Sequence, residues 1–390
     1  MKNIAILGST GSIGTSTLDI CERYPERYRV VSLAAGTNLD LAFQQCVRWR
    51  PQVISVATEA LAAQLTEKLK AAGITGIEVV YETAGTVRVA TLPEVNFVVS
   101  AIVGVAGLEA TYAAVNAGKT IGLANKEAMV AAGELIIAAA KKHNVTILPI
   151  DSEHNAIHQA MRAGTTNEVK QIWLTASGGP FRNTPLKDFE DITPAQALKH
   201  PTWVMGQRIT IDSATMLNKG LEIIEACRLF DLPASKVKVT IHPQSTIHSL
   251  VEYVDGSILA QLSVTDMRLP ILYAMAYPER VPSDLTFDMA ALAQLDFEEP
   301  DFKRFPCLRL AYEAAEAGPS HCIALNAADE IAVAAFLKGD LPFLGIPNTI
   351  ERVLERTPVA HPTTIAEVLE ADAAARETAR QVASETLARA

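Results

Sequence analysis

Asn3-Ile4-Ala5-Ile6-Leu7 is followed by Gly8-Ser9-Thr10-Gly11-Ser12-Ile13-Gly14 and then by the helix-length stretch Ser16–Arg23. An apolar run, a turn with spaced glycines and a helix start make one βα unit. Gly8 allows the tight turn, Gly11 lets the backbone approach a pyrophosphate, and Gly14 lets helix and strand pack closely. The N–H groups at the helix start then face the anion. The spacing is GxxGxxG rather than GxGxxG, so a plain glycine-rich turn competes with a dinucleotide loop. The position between strand and helix favours the dinucleotide.

Working outward, the same alternation continues through the first 150 residues. Further apolar runs lie at Val30–Ala35, Val53–Ala57, Ile77–Val80, Asn96–Ala101, Thr120–Ala124 and Val145–Ile150. Helix-length stretches such as Glu59–Ala72, Leu108–Ala117 and Glu127–His143 separate them. Uninterrupted apolar strands alternating with helices predict a parallel sheet covered on both faces, a doubly wound α/β domain. The end of the second strand reads Ala34-Ala35-Gly36-Thr37-Asn38, with no acid before Asp40. A carboxylate there would hold the 2′-hydroxyl of NAD and repel a 2′-phosphate, so its absence favours NADP.

After Asp151 the pattern changes. Strand-like runs occur at Gln171–Thr175, Val237–His242 and Ser257–Leu262. The stretch Pro180–Gly206 is polar, Pro-rich and weakly periodic; a loop of that length in a compact domain reads as a functional lid or as disorder. From Pro306 the chain is Ala-rich with helical spacing, broken at Gly318-Pro319, Gly339-Asp340 and Thr357-Pro358, which predicts roughly four helices.

Three clusters carry chemistry. The first is Asp151-Ser152-Glu153, just past a strand. Read as extended chain, the two carboxylates point the same way and suit a hard cation such as Mg²⁺ or Mn²⁺; read otherwise, they are an acidic helix start. The second is Asp212–Glu222, predicted as one helix opened by an Asp or Ser cap, with Asn218, Lys219 and Glu222 on one face. A surface Lys–Glu pair is the plain reading, but the apolar Met216, Leu217, Ile223 and Ile224 argue for burial, which makes the polar set costly unless used. The third is Thr175-Ala176-Ser177-Gly178-Gly179, a hydroxyl and backbone N–H groups for an oxyanion, or an ordinary turn. His154 and His158 have zinc-helix spacing but lack the Glu of a metalloprotease motif. His242 and His248 read as structural. Trp203 and Met205 read either as packing or as an apolar cover.

Composition excludes several classes. A chain of 390 residues exceeds one core. The net charge of -10 argues against nucleic acid. Five scattered cysteines with no CxxC pair fit a reducing compartment. The apolar run Ile4–Leu7 is too short for a signal segment, and no uncharged apolar stretch approaches bilayer length, so a soluble cytoplasmic protein without membrane partners is expected.

Taken together, the chain resembles the 1-deoxy-D-xylulose 5-phosphate reductoisomerase family. The carrying segments are Gly8–Gly14, Ala124-Asn125-Lys126-Glu127, Pro149–Ile157, Ser177–Phe181, His200-Pro201, Trp203-Val204-Met205-Gly206, Asp212–Glu222, Ile241–Ser245 and Ala324–Ala328, in order along nearly the whole chain. The resemblance implies that Thr10, Gly11, Ser12, Ile13, Gly36, Thr37, Asn38, Asn125, Glu127 and Gly206 contact NADPH. It implies that Asp151, Glu153 and Glu222 hold one Mg²⁺, Mn²⁺ or Co²⁺, and that Ser177, Ser213, Asn218 and Lys219 bind the phosphate of a sugar phosphate. Lys126, Ser152, Glu153 and His200 would surround the reacting carbons, with Lys126 and Glu153 as proton carriers beside the metal ligands Asp151 and Glu222. It further implies a homodimer whose subunits have a Rossmann-like NADP-binding domain (1–150), a central α+β catalytic domain (151–285, lid about 178–207), a linker (286–305) and a C-terminal helical bundle (306–390). Some members carry a basic residue where this chain has Thr37, which donates a hydrogen bond but no charge. Two other classes fit the residues less well. A semialdehyde dehydrogenase needs a nucleophilic cysteine with a His partner, which none of the five offers. A cofactor sensor without chemistry would have shed some of Lys126, Asp151, Glu153, Lys219 and Glu222, and all are present.

Overall fold

The β-branched and apolar runs of the N-terminal region pair as parallel strands, the inner ones buried on both faces and the edge strand over Glu78–Tyr81 largely exposed. The computed structural model describes residues 1–203, 205–290 and 292–387; Val204, within one family-like segment, lies outside the described residues. In chain order the first part forms β1 (Lys2–Leu7), α1 (Ser12–Arg23), β2 (Tyr28–Ala34), α2 (Leu39–Trp49), β3 (Val53–Val56), α3 (Glu59–Ala71), β4 (Glu78–Tyr81), α4 (Glu82–Ala90), β5 (Phe97–Ser100), α5 (Leu108–Asn116), β6 (Thr120–Leu123), α6 (Lys126–His143) and β7 (Ile147–Pro149). There follow α7 (Ser152–Ala160), β8 (Val169–Ala176), α8 (Pro194–Ala197), α9 (Gln207–Ala214), α10 (Leu217–Phe230), β9 (Val237–Ile241), β10 (Ile247–Tyr253), β11 (Ile258–Leu262) and α11 (Arg268–Ala276). The chain ends in α12 (Pro306–Ala317), α13 (Pro319–Lys338), α14 (Gly345–Arg356) and α15 (Ile365–Leu387).

Two compact units result. The first comprises Met1–Ala128, Ile136–Asn155 and Asp266–Asp284; the second comprises Met129–Leu135, Ala156–Thr265 and Leu285–Ala390. The first unit holds the seven-stranded sheet in the order β4-β3-β2-β1-β5-β6-β7. All its pairings are parallel, as the doubly wound reading expects. The strand order reverses between β1 and β5, the switch point beyond whose carboxyl ends ligands bind in such sheets. Ile4, Ile6, Leu33, Ile54, Phe97 and Val99 fill the core between sheet and helices.

The second unit has a four-stranded sheet in the order β11-β10-β8-β9. β8 and β9 are parallel, whereas β10 runs antiparallel to both β8 and β11. A parallel pair needs a long crossover. Here that crossover carries everything from residue 177 to residue 236, including α8, α9 and α10. β10 was not among the predicted runs, since Ile247-His248-Ser249 opens it with polar residues; all three are buried. The stretch read as a lid is anchored for much of its length. Phe181, Phe189, Ile192 and Ala197 are buried, and Phe181 and Phe189 stack edge-on against Phe343 at 5.3 and 5.9 Å. α13 is long and apolar enough to cross a membrane by length and composition. In this unit it is the core helix, with Cys322, Leu325, Ala328 and Phe336 buried in the same cluster as α10 and α12 residues.

Candidate functional site

In the first unit the turn after β1 is held by close backbone approach. Gly8 has φ +88°, and a Cβ there would stand 2.5 Å from Ala101 O. A Cβ on Gly14 would stand 2.3 Å from Gly8 O. Both positions therefore exclude any side chain, as the spacing argument required. Gly11 is the N-cap of α1, with no side-chain cap and no acid in the first turn, so the helix start presents backbone donors through Ser12 and Ile13. Gln45 on α2 clamps the loop reciprocally: Ser9 Oγ donates to its Oε1 at 2.7 Å, and its Nε2 donates to Ser9 O at 2.8 Å. Sequence reasoning missed Gln45; a buried amide on the inner face of α2 was the available signal. A Cβ on Gly36 would meet nothing within 4 Å, so this glycine borders open space. Asn38 caps α2, its Oδ1 accepting from Leu41 N at 3.1 Å, and Thr37 precedes it.

The loop after β5 is tied to the start of α6. Asn125 Oδ1 caps that helix from Ala128 N at 2.6 Å while its Nδ2 donates to Gly104 O at 2.9 Å. Glu127 Oε1 accepts from Gly104 N at 3.1 Å. Asn125 and Glu127 thus shape the switch-point loop from buried positions, and Thr10 lies in the turn after β1.

The acidic cluster differs from the extended reading. α7 begins at Ser152, so Asp151 sits at a helix start and Glu153 is already helical; Asp151 Oδ1 accepts from Glu153 N at 3.2 Å. The acidic helix-start alternative is the local geometry. It does not exclude a cation, because both carboxylates keep further oxygen lone pairs. Lys126 Nζ lies 2.7 Å from Asp151 Oδ2, both side chains nearly buried. Burial alone would push the Asp151 carboxyl up, but the Lys126 ammonium and His154 outweigh it and hold the group well below the usual carboxylate range. Ser152 Oγ donates to Glu153 Oε2 at 2.8 Å. Burial lowers His158 to about 4, so this half-buried histidine is neutral.

In the second unit the Ser177 turn lies against Ser213. Gly178 and Gly179 turn with φ +82° and +67°, and a Cβ on Gly179 would stand 2.6 Å from Ser213 O. Ser177 and Ser213 therefore flank one tight turn. His200 Nδ1 accepts from Thr202 N at 3.3 Å and Trp203 N at 3.0 Å, which leaves the ring proton on Nε2. His200 Nε2 then donates to Ser177 Oγ at 3.1 Å, and Gly179 N donates to the same oxygen at 3.2 Å. Burial lowers the His200 pKa and keeps the ring neutral. With its oxygen accepting twice, the Ser177 hydroxyl hydrogen is directed to a further acceptor, such as a phosphate oxygen.

The predicted single helix over Asp212–Glu222 is two. α9 ends at Ala214, and α10 starts after Met216, which has φ +64°. Asp212 and Ser213 lie in the last turn of α9 rather than at a cap, because the break falls after them. Asn218, Lys219 and Glu222 do share a face of α10. Asn218 Nδ2 donates to Glu222 Oε1 at 2.6 Å, and Lys219 Nζ pairs with Glu222 Oε2. Lys219 is 4% and Glu222 0% exposed, so this is no surface pair. Arg208, at the start of α9, was also missed by sequence reasoning; its hydrogen-bond partners Asp329 and Glu330 lie more than a hundred residues away. His242 is structural as expected: its Nδ1 lies 2.9 Å from Asp296 O and its ring stacks on Phe297. Trp203 lies near His248, with ring centroids 6.3 Å apart, while Met205 is half-buried and Gly206 N-caps α9. Burial pushes the thiols of Cys21, Cys46 and Cys322 up to about 12 and Cys227 to about 11, the wrong direction for a nucleophile.

A glycine turn at the sheet's switch point, with buried carboxylates and the buried Lys219 in the second unit, points to a dinucleotide-dependent oxidoreductase. Comparison with known proteins specifies it. The sequence models described as 1-deoxy-D-xylulose 5-phosphate reductoisomerase, its C-terminal domain and the DXP reductoisomerase C-terminal domain match residues 4–133, 147–230 and 262–378. The chain is 50% identical over 388 residues to 1-deoxy-D-xylulose 5-phosphate reductoisomerase of Solibacter usitatus, covering 98% of each chain. It is 52% identical over 387 residues to that of Methylococcus capsulatus, again covering 98% of each. Among solved structures, a DOX-P reductoisomerase in complex with NADPH, fosmidomycin and magnesium matches with TM-score 0.93 and 43% identity over 98% of both chains. The Zymomonas mobilis enzyme in complex with NADPH matches with TM-score 0.91 and 43% identity, over 98% of this chain and 99% of that one. The chain belongs to the 1-deoxy-D-xylulose 5-phosphate reductoisomerase family.

Proposed function

We infer that the chain isomerises and reduces 1-deoxy-D-xylulose 5-phosphate to 2-C-methyl-D-erythritol 4-phosphate, using NADPH and one divalent cation, on the non-mevalonate route to isoprenoid precursors. The observation that carries this is the full-length match to a structure described with NADPH, fosmidomycin and magnesium. Thr10, Gly11, Ser12, Ile13, Gly36, Thr37, Asn38, Asn125, Glu127 and Gly206 are assigned to NADPH. A pyrophosphate suits the donor-rich start of α1, and open space beside Gly36 suits the ribose end. Asp151, Glu153 and Glu222 are assigned to the cation. An all-carboxylate donor set suits Mg²⁺, Mn²⁺ or Co²⁺, and carboxylates as buried as Asp151 and Glu222 call for cationic partners.

When bound, the cation supplies Lewis acidity toward the sugar oxygens and NADPH supplies the hydride that reduces the rearranged aldehyde. The protein's own groups do the rest. Ser177, Ser213, Asn218 and Lys219 bind the phosphate, the end that does not react. Ser152 and His200 orient the chain of the sugar, His200 through its hydrogen bond to Ser177. Lys126 and Glu153 move the protons as one carbon–carbon bond breaks and another forms. Remote binding of the phosphate is spent on orienting the reactive end and on excluding water by the stretch read as a lid, about 178–207.

In functional terms residues 1–150 serve the cofactor, 151–285 the substrate and metal, and 306–390 support the latter. We further read the active form as a cytoplasmic homodimer. β11 is an edge strand, and Val254, Ile258 and Leu259 on and beside it are exposed, which suits pairing with a second copy. Sedimentation or light scattering would show a monomer if this is wrong. For the reaction, purified protein is mixed with substrate, NADPH and Mg²⁺, and NADPH loss is followed, with a chelator and Asp151→Asn as controls. Substrate-dependent oxidation abolished by both is expected. NADPH binding without oxidation would return the chain to the sensor reading.

A further inference from the structure

Within the second unit a buried ion cluster joins the helix that carries Ser213 to the C-terminal helices. Arg208, on the first turn of α9, directs its guanidinium into α13. Nη2 donates to Asn326 Oδ1 at 2.9 Å and to Asp329 Oδ2 at 3.0 Å, and Nη1 donates to Glu330 Oε1 at 2.8 Å. Nε lies 3.3 Å from Asp329 Oδ2 and 3.6 Å from Asp212 Oδ2, so two carboxylates from different helices meet on one nitrogen. Glu330 is held in turn by Arg376 of α15 at 2.6 Å, and Arg376 by Asp372 at 2.6 Å. Asp329 and Asn326 are 0% exposed. The charged and titratable groups around Asp329 are thus Arg208 and Asp212 from α9, Glu330 from its own helix, Arg376 and Asp372 beyond it, and the buried Cys307 thiol of α12.

Such a cluster is expensive to bury, and replacing it with apolar residues commonly stabilises a protein. Its value therefore lies in geometry. A planar guanidinium with all three nitrogens engaged fixes both the rotation and the height of α9, which a greasy contact would leave to slide. Asp212, one of the residues held, is adjacent to Ser213. On the far side of Ser213 the Gly179 turn presses on its carbonyl with no room for a Cβ. Ser213 is therefore gripped from two directions, by the C-terminal helices through Arg208 and Asp212 and by the Ser177 turn through Gly179. α10 follows after the two residues Thr215 and Met216, carrying Asn218 and Lys219.

We propose that Arg208 and Asp329 are positioning residues for the substrate phosphate: the cluster they form makes the C-terminal helices part of the phosphate site by fixing α9 and, through it, Ser213. This rests on the assignment of Ser177, Ser213, Asn218 and Lys219 to the phosphate. Neither Arg208 nor Asp329 touches the phosphate; they act through Ser213.

The test compares Arg208→Met, Arg208→Lys and Asp329→Asn with Ser213→Ala, all in the full chain with Mg²⁺. Three quantities are read: KM for the sugar phosphate, the inhibition constant of inorganic phosphate, and Kd for NADPH. Arg208→Met and Asp329→Asn should raise the first two by roughly ten-fold, since a displacement near 1 Å suffices for effects of that order, and leave NADPH binding within about two-fold. Arg208→Lys keeps the charge but not the fork and should recover only part of the loss. Folding is followed by circular dichroism. If Arg208→Met does not fold, the nearly isosteric Asp329→Asn carries the same comparison. Folded variants with unchanged KM and phosphate inhibition would overturn the proposal while Ser213→Ala still weakens phosphate. Equal losses for NADPH and substrate would overturn it too, as general damage. An unaffected Ser213→Ala would bring down the phosphate assignment itself, and the proposal with it.

Discussion

On the proposed assignments, the two units of the chain would recognise charge in different ways. In the first, the anion-facing groups are backbone amides at the start of α1, made accessible by Gly8, Gly11 and Gly14 within seven consecutive residues. In the second, the groups proposed for the phosphate are side chains: Ser177, Ser213, Asn218 and Lys219, spread over one long crossover between the parallel strands β8 and β9. A backbone site needs only space and a helix start, so it is compact in sequence. A side-chain site needs each residue delivered by its own element, so it is dispersed and depends on tertiary contacts such as the Arg208 cluster. The first kind suits a cofactor common to many enzymes, the second a particular substrate.

The largest expected effect falls on the carboxylates assigned to the cation. Glu222→Gln in the second unit should cost about a thousand-fold or more in kcat, as should Asp151→Asn in the first, because several kcal/mol of transition-state stabilisation go with the cation. Steady-state turnover at saturating Mg²⁺ checks this, and near-normal rates in either variant would remove that carboxylate from the metal assignment. Lys219→Ala comes next. It should lower kcat and raise KM together by roughly a hundred-fold overall if phosphate binding drives orientation. It should also destabilise the unit by about 3–5 kcal/mol, since the buried Glu222 loses its ammonium partner. A change confined to KM would mean that binding and orientation are uncoupled.

Gly14→Ala and Gly179→Ala then separate the units. Each places a Cβ within 2.6 Å of backbone, and Gly179 also has positive φ, so both should lose about 1–3 kcal/mol of stability. Gly14→Ala should weaken NADPH with little change for substrate, and Gly179→Ala the reverse. Titration of each ligand against each variant shows whether the sites are independent.

Acid stability differs in sign between the units. Burial raises Asp329 to about 6 against an ordinary value of 3.8. The native state then holds that proton more tightly, so its contribution is full below the ordinary value and is lost as pH rises to about 6. In the first unit, hydrogen bonds from Arg268 hold Asp266 low, so its contribution is present at neutral pH and lost as pH falls. Asp329→Asn should flatten the decline in melting temperature between about pH 4 and 6. An unaltered profile would place the proton elsewhere. The smallest effect is expected at Thr37→Arg, which should strengthen NADPH over NADH by about ten-fold through a charge-assisted contact; competition kinetics with the two cofactors measure it.

What the amino-acid sequence determined alone follows from local patterning. Runs of apolar residues with helix-length spacers specify a parallel sheet, and three glycines between strand and helix specify the turn, because steric exclusion of a Cβ acts within a few residues. The helical end was legible for the same reason, with Gly318-Pro319 and Gly339 at its breaks. The residues of the catalytic assignment were legible as types, through the resemblance, but not as geometry. Only the folded chain decided that Asp151 opens a helix, that the Asp212–Glu222 stretch breaks at Met216, and that Phe181, Phe189, Ile192 and Ala197 anchor the expected lid. It also decided that Gln45 holds Ser9 and Arg208 holds Asp329. Each of these turns on a contact between residues far apart in the chain or on a backbone reversal stabilised by such contacts. Pattern and propensity describe neighbours; the energy of a buried charge depends on partners that only the tertiary structure supplies.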